Sequence, residues 1–281
     1  MSQLRIVKFT SNDLPFGKMM TDHEGWLRTV TDWNRLLRIE PLGMVKAQLD
    51  GRDVGIAGFL LYEDVSWIHS VIVLPEFRGK GIGRVMMETC IANARETGCP
   101  CIKLDSVHGF EGFYKSLGFV EEFESRRYLI DGDSFPKVAQ EIRLSDIDSI
   151  VAFDRATVGI DRGRVLRAVF EDNPGLAFCT KEANGISGYI LGREGDELVQ
   201  IGPCVANEGD YSIARRLITT LVGSVDRERR LRMCVPGTNR KAVRLARDLG
   251  FASGISSTRM YLGERFQESV AAFSMISPEK G

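Results

Sequence analysis

The first 130 residues divide into short β-like runs and stretches with helical spacing of apolar positions. "LRIVKF" predicts an opening strand, and "GMVKAQLDG", "DVGIAGFLLYED" and "VSWIHSVIVLP" predict three more in succession. Turn signals at Asp50-Gly51 and near Asp64 join these three as antiparallel hairpins. Asp13 to Ile39 carries helical spacing, with a loop around Trp26. Gly83 to Thr97 predicts an amphipathic helix with Val85, Met86, Cys90 and Ala94 on one side, stopped by Gly98. "CIKLDSV" predicts a short buried strand, "EGFYKSLG" a helix ended by Gly118, and "FVEEFESRRYLI" a closing strand. This order describes a mixed, mostly antiparallel sheet flanked by helices, with one parallel pair across the crossover helix.

The pattern recurs. "GIAGFLL" from Gly55 matches "GISGYIL" from Gly185, and "FYKSLGF" ending at Phe119 matches "LARDLGF" ending at Phe251. The offsets of 130 and 132 residues keep register, which predicts a duplicated domain. Turn formers and Pro136 place the linker at Ile130 to Ala139, so the expected domains are residues 1–131 and 139–281. The tail "RFQESVAAFSMIS" has strand-like apolar positions suited to packing back onto the body.

A chain of 281 residues with 43% hydrophobic residues is long enough for two cored domains. Its 37 Lys and Arg against 38 Asp and Glu give no electrostatic reason to expect nucleic acid or an anionic membrane. No apolar run approaches the roughly 18 residues of a membrane span. "MSQLRIVKFTSND" lacks the apolar core of a secretion signal, so a cytoplasmic location is expected. The six cysteines contain no C-x-x-C and only three histidines occur, so neither a metal site nor a disulfide framework is expected. Cys99-Pro100-Cys101 reads as a turn entering a buried strand. The basic run "VDRERRLRM" reads as a helix end rather than a nucleic-acid surface.

"LPEFRGKGIGRVM", Leu74 to Met86, carries the chemistry. Gly79, Gly81 and Gly83 stand where a helix must begin, among Arg78, Lys80 and Arg84. Unpaired N–H groups at a helix start attract an anion, and glycine leaves no Cβ in its way. The stretch therefore reads as a pyrophosphate cradle, the alternative being a glycine-rich turn with exposed cations. A Walker loop is absent, and the dinucleotide fingerprint fails because its third glycine is replaced by Met86.

Arg78, Gly81 and Gly83 in the pattern Arg/Gln-x-x-Gly-x-Gly/Ala, after a strand ending Val73-x-Pro75-Glu76, resemble the GNAT acetyltransferase superfamily. Tyr114, Gly118 and Phe119 fit its later Tyr-x-x-x-Gly-Phe signature. The resemblance covers about residues 3 to 130. It implies acetyl-CoA, or another acyl-CoA, as donor and an amine as the usual acceptor. It further implies that the strand before the loop splays from its neighbour and that Val71, Ile72 and Val73 pair with pantetheine through main-chain groups. A backbone N–H there would polarise the thioester carbonyl. Gly79, Lys80, Gly81, Ile82 and Gly83 would wrap the pyrophosphate, with Arg78, Lys80 and Arg84 as counter-charges. Tyr114 stands where the family commonly places the acid that protonates the departing thiolate; the alternative is a half-buried tyrosine with no role in the reaction.

His69 is the candidate base, at even spacing from Trp67, Val71 and Val73 and so expected on their face, or else structural. Glu63 and Asp64 are the alternative bases, and Trp67 either lines an acceptor pocket or is core. The asparagine many members carry seven residues before the tyrosine is replaced by Val107, beside His108, which either touches coenzyme or packs the helix start.

In the second half the register sets Val205 opposite Val73, Asp210 opposite Arg78 and Ala246 opposite Tyr114, whereas Asn239 and Ala242 match the N-x-x-A positions missing from the first. An aspartate there would repel a phosphate, so this half reads as a GNAT-like domain without the standard donor site. Residues 139 to 276 also resemble a C-terminal domain found behind bacterial GNAT domains, through "FDRATVGIDRGRVLRAV", "IGPCVA" and "STRMYLG". Asp154, Asp161, Arg162, Arg259 and Tyr261 either bind an acceptor or form salt bridges and strand packing, the second being expected. The resemblance leads to an N-acetyltransferase acting on an amine, expected to be a small molecule. The alternatives are a non-catalytic acyl-CoA-binding regulator, or acetylation of protein lysines and N-termini. A homodimer is left open.

Overall fold

The structure, a computed structural model, describes residues 3–133, 135–183 and 185–277. The chain divides into two units, Met1–Leu104 and Asp105–Gly281. In the first unit β1 (Leu4–Lys8) is followed by α1 (Leu14–His23) and α2 (Val30–Ile39). Then come β2 (Met44–Leu49), β3 (Arg52–Tyr62), β4 (Val65–Val73), α3 (Ile82–Glu96) and β5 (Cys101–Val107), whose last three residues fall in the second unit. The strands lie in that order, antiparallel except for β4 and β5, which run parallel across α3. Asp50 and Gly51 both adopt positive φ, as a tight hairpin turn requires. Thr29 accepts from Asp32 N, capping α2, which buries Trp33, Leu36 and Ile39. α3 buries Ile82, Met86, Met87, Cys90, Ile91 and Ala94. Val85, expected on that face, is instead 37% exposed.

The second unit holds α4 (Glu111–Lys115), β6 (Val120–Asp131), β7 (Gln140–Glu141), α5 (Ile147–Val158), α6 (Gly163–Asp172), β8 (Ala177–Glu182), β9 (Gly185–Arg193) and β10 (Leu198–Ala206). It continues with α7 (Tyr211–Val222), β11 (Arg230–Pro236), α8 (Arg240–Asp248), β12 (Ala252–Ser253), β13 (Ser257–Gly263) and β14 (Ala272–Ser274). The strand order is β13-β6-β11-β10-β9-β8-β7, with β12 also on β6 and β14 on β10. β10 and β11 repeat the parallel pair across α7. β6, expected to close the first half, is hydrogen-bonded on both sides by C-terminal strands, β11 and β13. The linker it leads into contains Ser134, which lies outside the described residues.

"VDRERRLRM" is not a helix end: α7 stops at Val222, and the run forms a turn and the start of β11. There Arg229 donates to Gly195 O at 2.7 Å and Arg230 pairs with Asp131 at 3.1 Å. Asp154 and Arg162 form a buried pair at 2.6 Å that also takes the Tyr189 hydroxyl, and Arg259 is buried on Asp105 and Glu268, each at 2.6 Å. All six cysteines are buried, and none of them forms a disulfide.

Candidate active site

Two adjacent defects in regularity shape β4. Its parallel ladder with β5 spans only Val65–Trp67 against Cys101–Lys103. Its antiparallel ladder with β3 then slips: His69 faces Gly58 but Ile72 faces Ile56, so Ser70 and Val71 share one partner position. This is a β-bulge, and Ser70 carries it at φ 56°. The extra residue inverts the alternation. His69 and Trp67 share a face with Ile72, whereas Val71 and Val73 turn to the other, against the even-spacing expectation.

His69 is buried, its Nδ1 at 2.8 Å from Ser70 Oγ. A Cβ on Gly58 would stand 2.6 Å from the His69 ring and 2.2 Å from Met44 Sδ, so the glycine makes room for the imidazole. Trp67 is 1% exposed, with Lys103 Nζ over its ring at 5.7 Å; it is core. Glu63 and Asp64 lie exposed in the turn at the other end of β4, roughly 20 Å of strand from Ser70.

Beyond β4 the chain turns through Gly79 and Gly81, at φ 76° and 78°, into α3. Gly81 is the helix N-cap and offers no side chain to the first turn. A Cβ at either glycine would meet nothing within 4 Å. The first-turn N–H groups of Ile82, Gly83 and Arg84 thus take no side-chain cap from the residue before them and have the helix dipole behind them. Arg78 is tethered: its Nε donates to Val73 O at 2.8 Å and its Nη2 to Glu24, just past α1. Lys80 Nζ lies over Phe77 at 4.9 Å, and Arg84 reaches Glu88 at 3.7 Å. Glu24 escaped the sequence reading because 54 residues separate it from Arg78 and no motif marks it.

Tyr114, in the second unit, packs edge-on against Phe113 and Phe119 with centroids 5.1 and 6.1 Å away. Burial pushes its hydroxyl up to about 12, which keeps it protonated at neutral pH. Gly118, at φ 93°, ends the turn after α4. His108 packs the helix start, with Nδ1 at 3.2 Å from Glu111 and Nε2 at 3.0 Å from Ser256 Oγ.

The second unit answers each feature differently. Asp210 caps α7, accepting from Ser212 N at 2.7 Å and Ile213 N at 2.9 Å. Where phosphate would seek N–H groups, a carboxylate already holds them. The β10–β11 ladder stops at Ile201 and Met233, and past that point β14 pairs with β10. Among the described residues no group of three His, Cys, Asp or Glu side chains could hold a metal, and no helix is long and apolar enough to cross a membrane.

The GNAT acetyltransferase family pattern matches residues 10–119 and an acetyltransferase (GNAT) domain pattern matches 150–272. An uncharacterized N-acetyltransferase of Bacillus subtilis is 24% identical over 180 residues, 62% of each chain. The chain spans 46 to 62% of the length of the curated relatives it matches. A solved structure from Pyrococcus horikoshii superimposes with TM-score 0.85 at 23% identity, over 99% of this chain and 96% of that one. A tandem GNAT protein from the clavulanic acid biosynthesis pathway superimposes with TM-score 0.65 at 14% identity, over 95% and 100%. These likenesses show the fold. With both halves matched and the sheets laid out as described, the chain belongs to the GNAT acetyltransferase family and carries two GNAT domains in tandem.

Proposed function

We propose that the protein is an N-acetyltransferase that moves an acetyl group from acetyl-CoA to a small amine, with the donor held by β4 and the Gly79–Gly83 loop. The observation that carries this reading is the start of α3: left-handed Gly79 and Gly81, room for a Cβ at either one, and no side-chain cap on the first turn. The Ser70–Val71 bulge supports it, because the doubled residue turns main-chain groups of β4 away from the β3 ladder. Val71, Ile72 and Val73 pair with pantetheine, and Ile82, Gly83 and Arg84 N–H groups take the pyrophosphate. Arg78 sets the loop on Val73 O and adds charge.

In the reaction a neutral amine attacks the thioester carbonyl carbon and the C–S bond breaks. The thiolate takes its proton from the Tyr114 hydroxyl, and the amine nitrogen gives its proton to His69 or to water relayed by it. A cytoplasmic location belongs to the same proposal.

The test is a screen of primary amines with acetyl-CoA, reading CoA release. Turnover with at least one amine, lost in Gly81→Asp and kept in Asp210→Gly, is expected. Binding of acetyl-CoA with no turnover on any amine would favour the acyl-CoA-binding regulator instead.

A further inference from the structure

Beyond the end of the β10–β11 ladder the chain's own tail fills the gap. β14 runs antiparallel to β10, with Cys204 opposite Ser274 and Val205 opposite Ala272, and Ala206 N donates to Ala271 O at 3.0 Å. On its other side Met275 N donates to Cys234 O of β11 at 2.8 Å. Ser274 Oγ donates to Ile201 O at 2.8 Å. Every residue from Ala271 to Ser277 is buried, and Phe273 is fully enclosed in the core of this unit.

The walls are shaped for a backbone. Asn239 caps α8 with its oxygen and gives its amide hydrogens to Val270 O at 2.8 Å and Ala272 O at 2.9 Å. A Cβ on Gly202 would stand 2.0 Å from Met275 O, so only glycine allows the tail this close. Arg193 donates to Ile276 O, and Arg259 reaches both Glu268 and Met275 Sδ. The segment that leads in is exposed at Glu264 and Arg265.

We infer that the β10–β11 gap is a binding site for an extended peptide, and that Ala271–Ser277 is its ligand, supplied in cis. Recognition is by strand addition on β10 and β11, with the Asn239 amide clamping two carbonyls and one aromatic anchor at Phe273. The ligand class is a short, uncharged strand with small residues before the aromatic. Nothing in this depends on what β4 binds.

The test inserts a protease site between Glu264 and Arg265 of the full chain. After cleavage the protein is incubated with a fluorescein-labelled Ser269–Ser277 peptide and followed by anisotropy and circular dichroism. The expected result is a folded, cleaved chain that takes up one labelled peptide as its old tail exchanges, while the uncleaved chain takes up none. An unlabelled peptide carrying Phe273→Ala should compete roughly a hundredfold more weakly, as loss of a core phenylalanine implies. Unfolding on cleavage would make the segment ordinary core and overturn the inference. So would a folded cleaved chain that takes up no peptide, equal competition by the Phe273→Ala peptide, or displacement of the peptide by acetyl-CoA.

Discussion

α3 and α7 follow equivalent strands, yet their first turns are built for opposite purposes. α3 starts at a left-handed glycine with no side-chain cap, whereas α7 starts under a carboxylate that accepts from two of its N–H groups. The strands before them diverge in the same way. β4 leaves β5 after Trp67, and β10 leaves β11 after Ile201 only to receive β14. A duplicated fold thus keeps its geometry while changing what completes it. In one case the chain leaves a helix start bare. In the other it supplies both the anion and the strand from its own residues.

The largest expected effect comes from making the first start resemble the second. Gly81→Asp places a carboxylate at the bare turn and a side chain at φ 78°, and acetyl-CoA binding should fall at least about a hundredfold, read by calorimetry. Next, Tyr114→Phe should lower kcat by about 100-fold, the usual contribution of a general acid, with the KM for acetyl-CoA unchanged. Steady-state kinetics on the best amine checks this; equal losses in affinity would make Tyr114 a packing residue.

The Tyr114 shift also makes a stability prediction. A hydroxyl raised from 10 to about 12 on folding favours the folded state fully below pH 10. That contribution drains away as pH rises from 10 to about 12. Denaturant midpoints measured across that window should fall less steeply in Tyr114→Phe.

Smaller effects sharpen the contrast. Asp210→Ala should cost about 1 kcal/mol by removing a helix cap, a drop of a few degrees in Tm. It should add no coenzyme site, because β14 still fills the gap. Glu24→Gln should be the mildest: it frees Arg78 from a half-exposed ion pair worth up to about 1 kcal/mol, so acetyl-CoA should bind up to about fivefold tighter.

Much of this contrast was legible in the chain. The hairpins of the first unit announce themselves through turn residues and alternation, and the glycine loop through the coincidence of Gly79 and Gly81 with a helix start. Asp210 was visible as an anion in the wrong place, though not as a cap, because capping depends on the φ and ψ that precede the helix. The Ser70–Val71 bulge was not legible: a serine at positive φ leaves no compositional mark, and the single extra residue undid the even-spacing argument for His69. The partners of β6 were hidden as well, since nothing local tells a strand which half of the chain will flank it. The same holds for Asn239, whose spacing matched a coenzyme-contact motif but whose amide holds the tail.

The central claim is that only one of the two helix starts can receive a coenzyme. Calorimetric titration of the full chain with acetyl-CoA tests it most directly. One site per chain is expected, abolished by Gly81→Asp and untouched by Asp210→Gly. Two sites per chain, or a single site that survives Gly81→Asp, would contradict it.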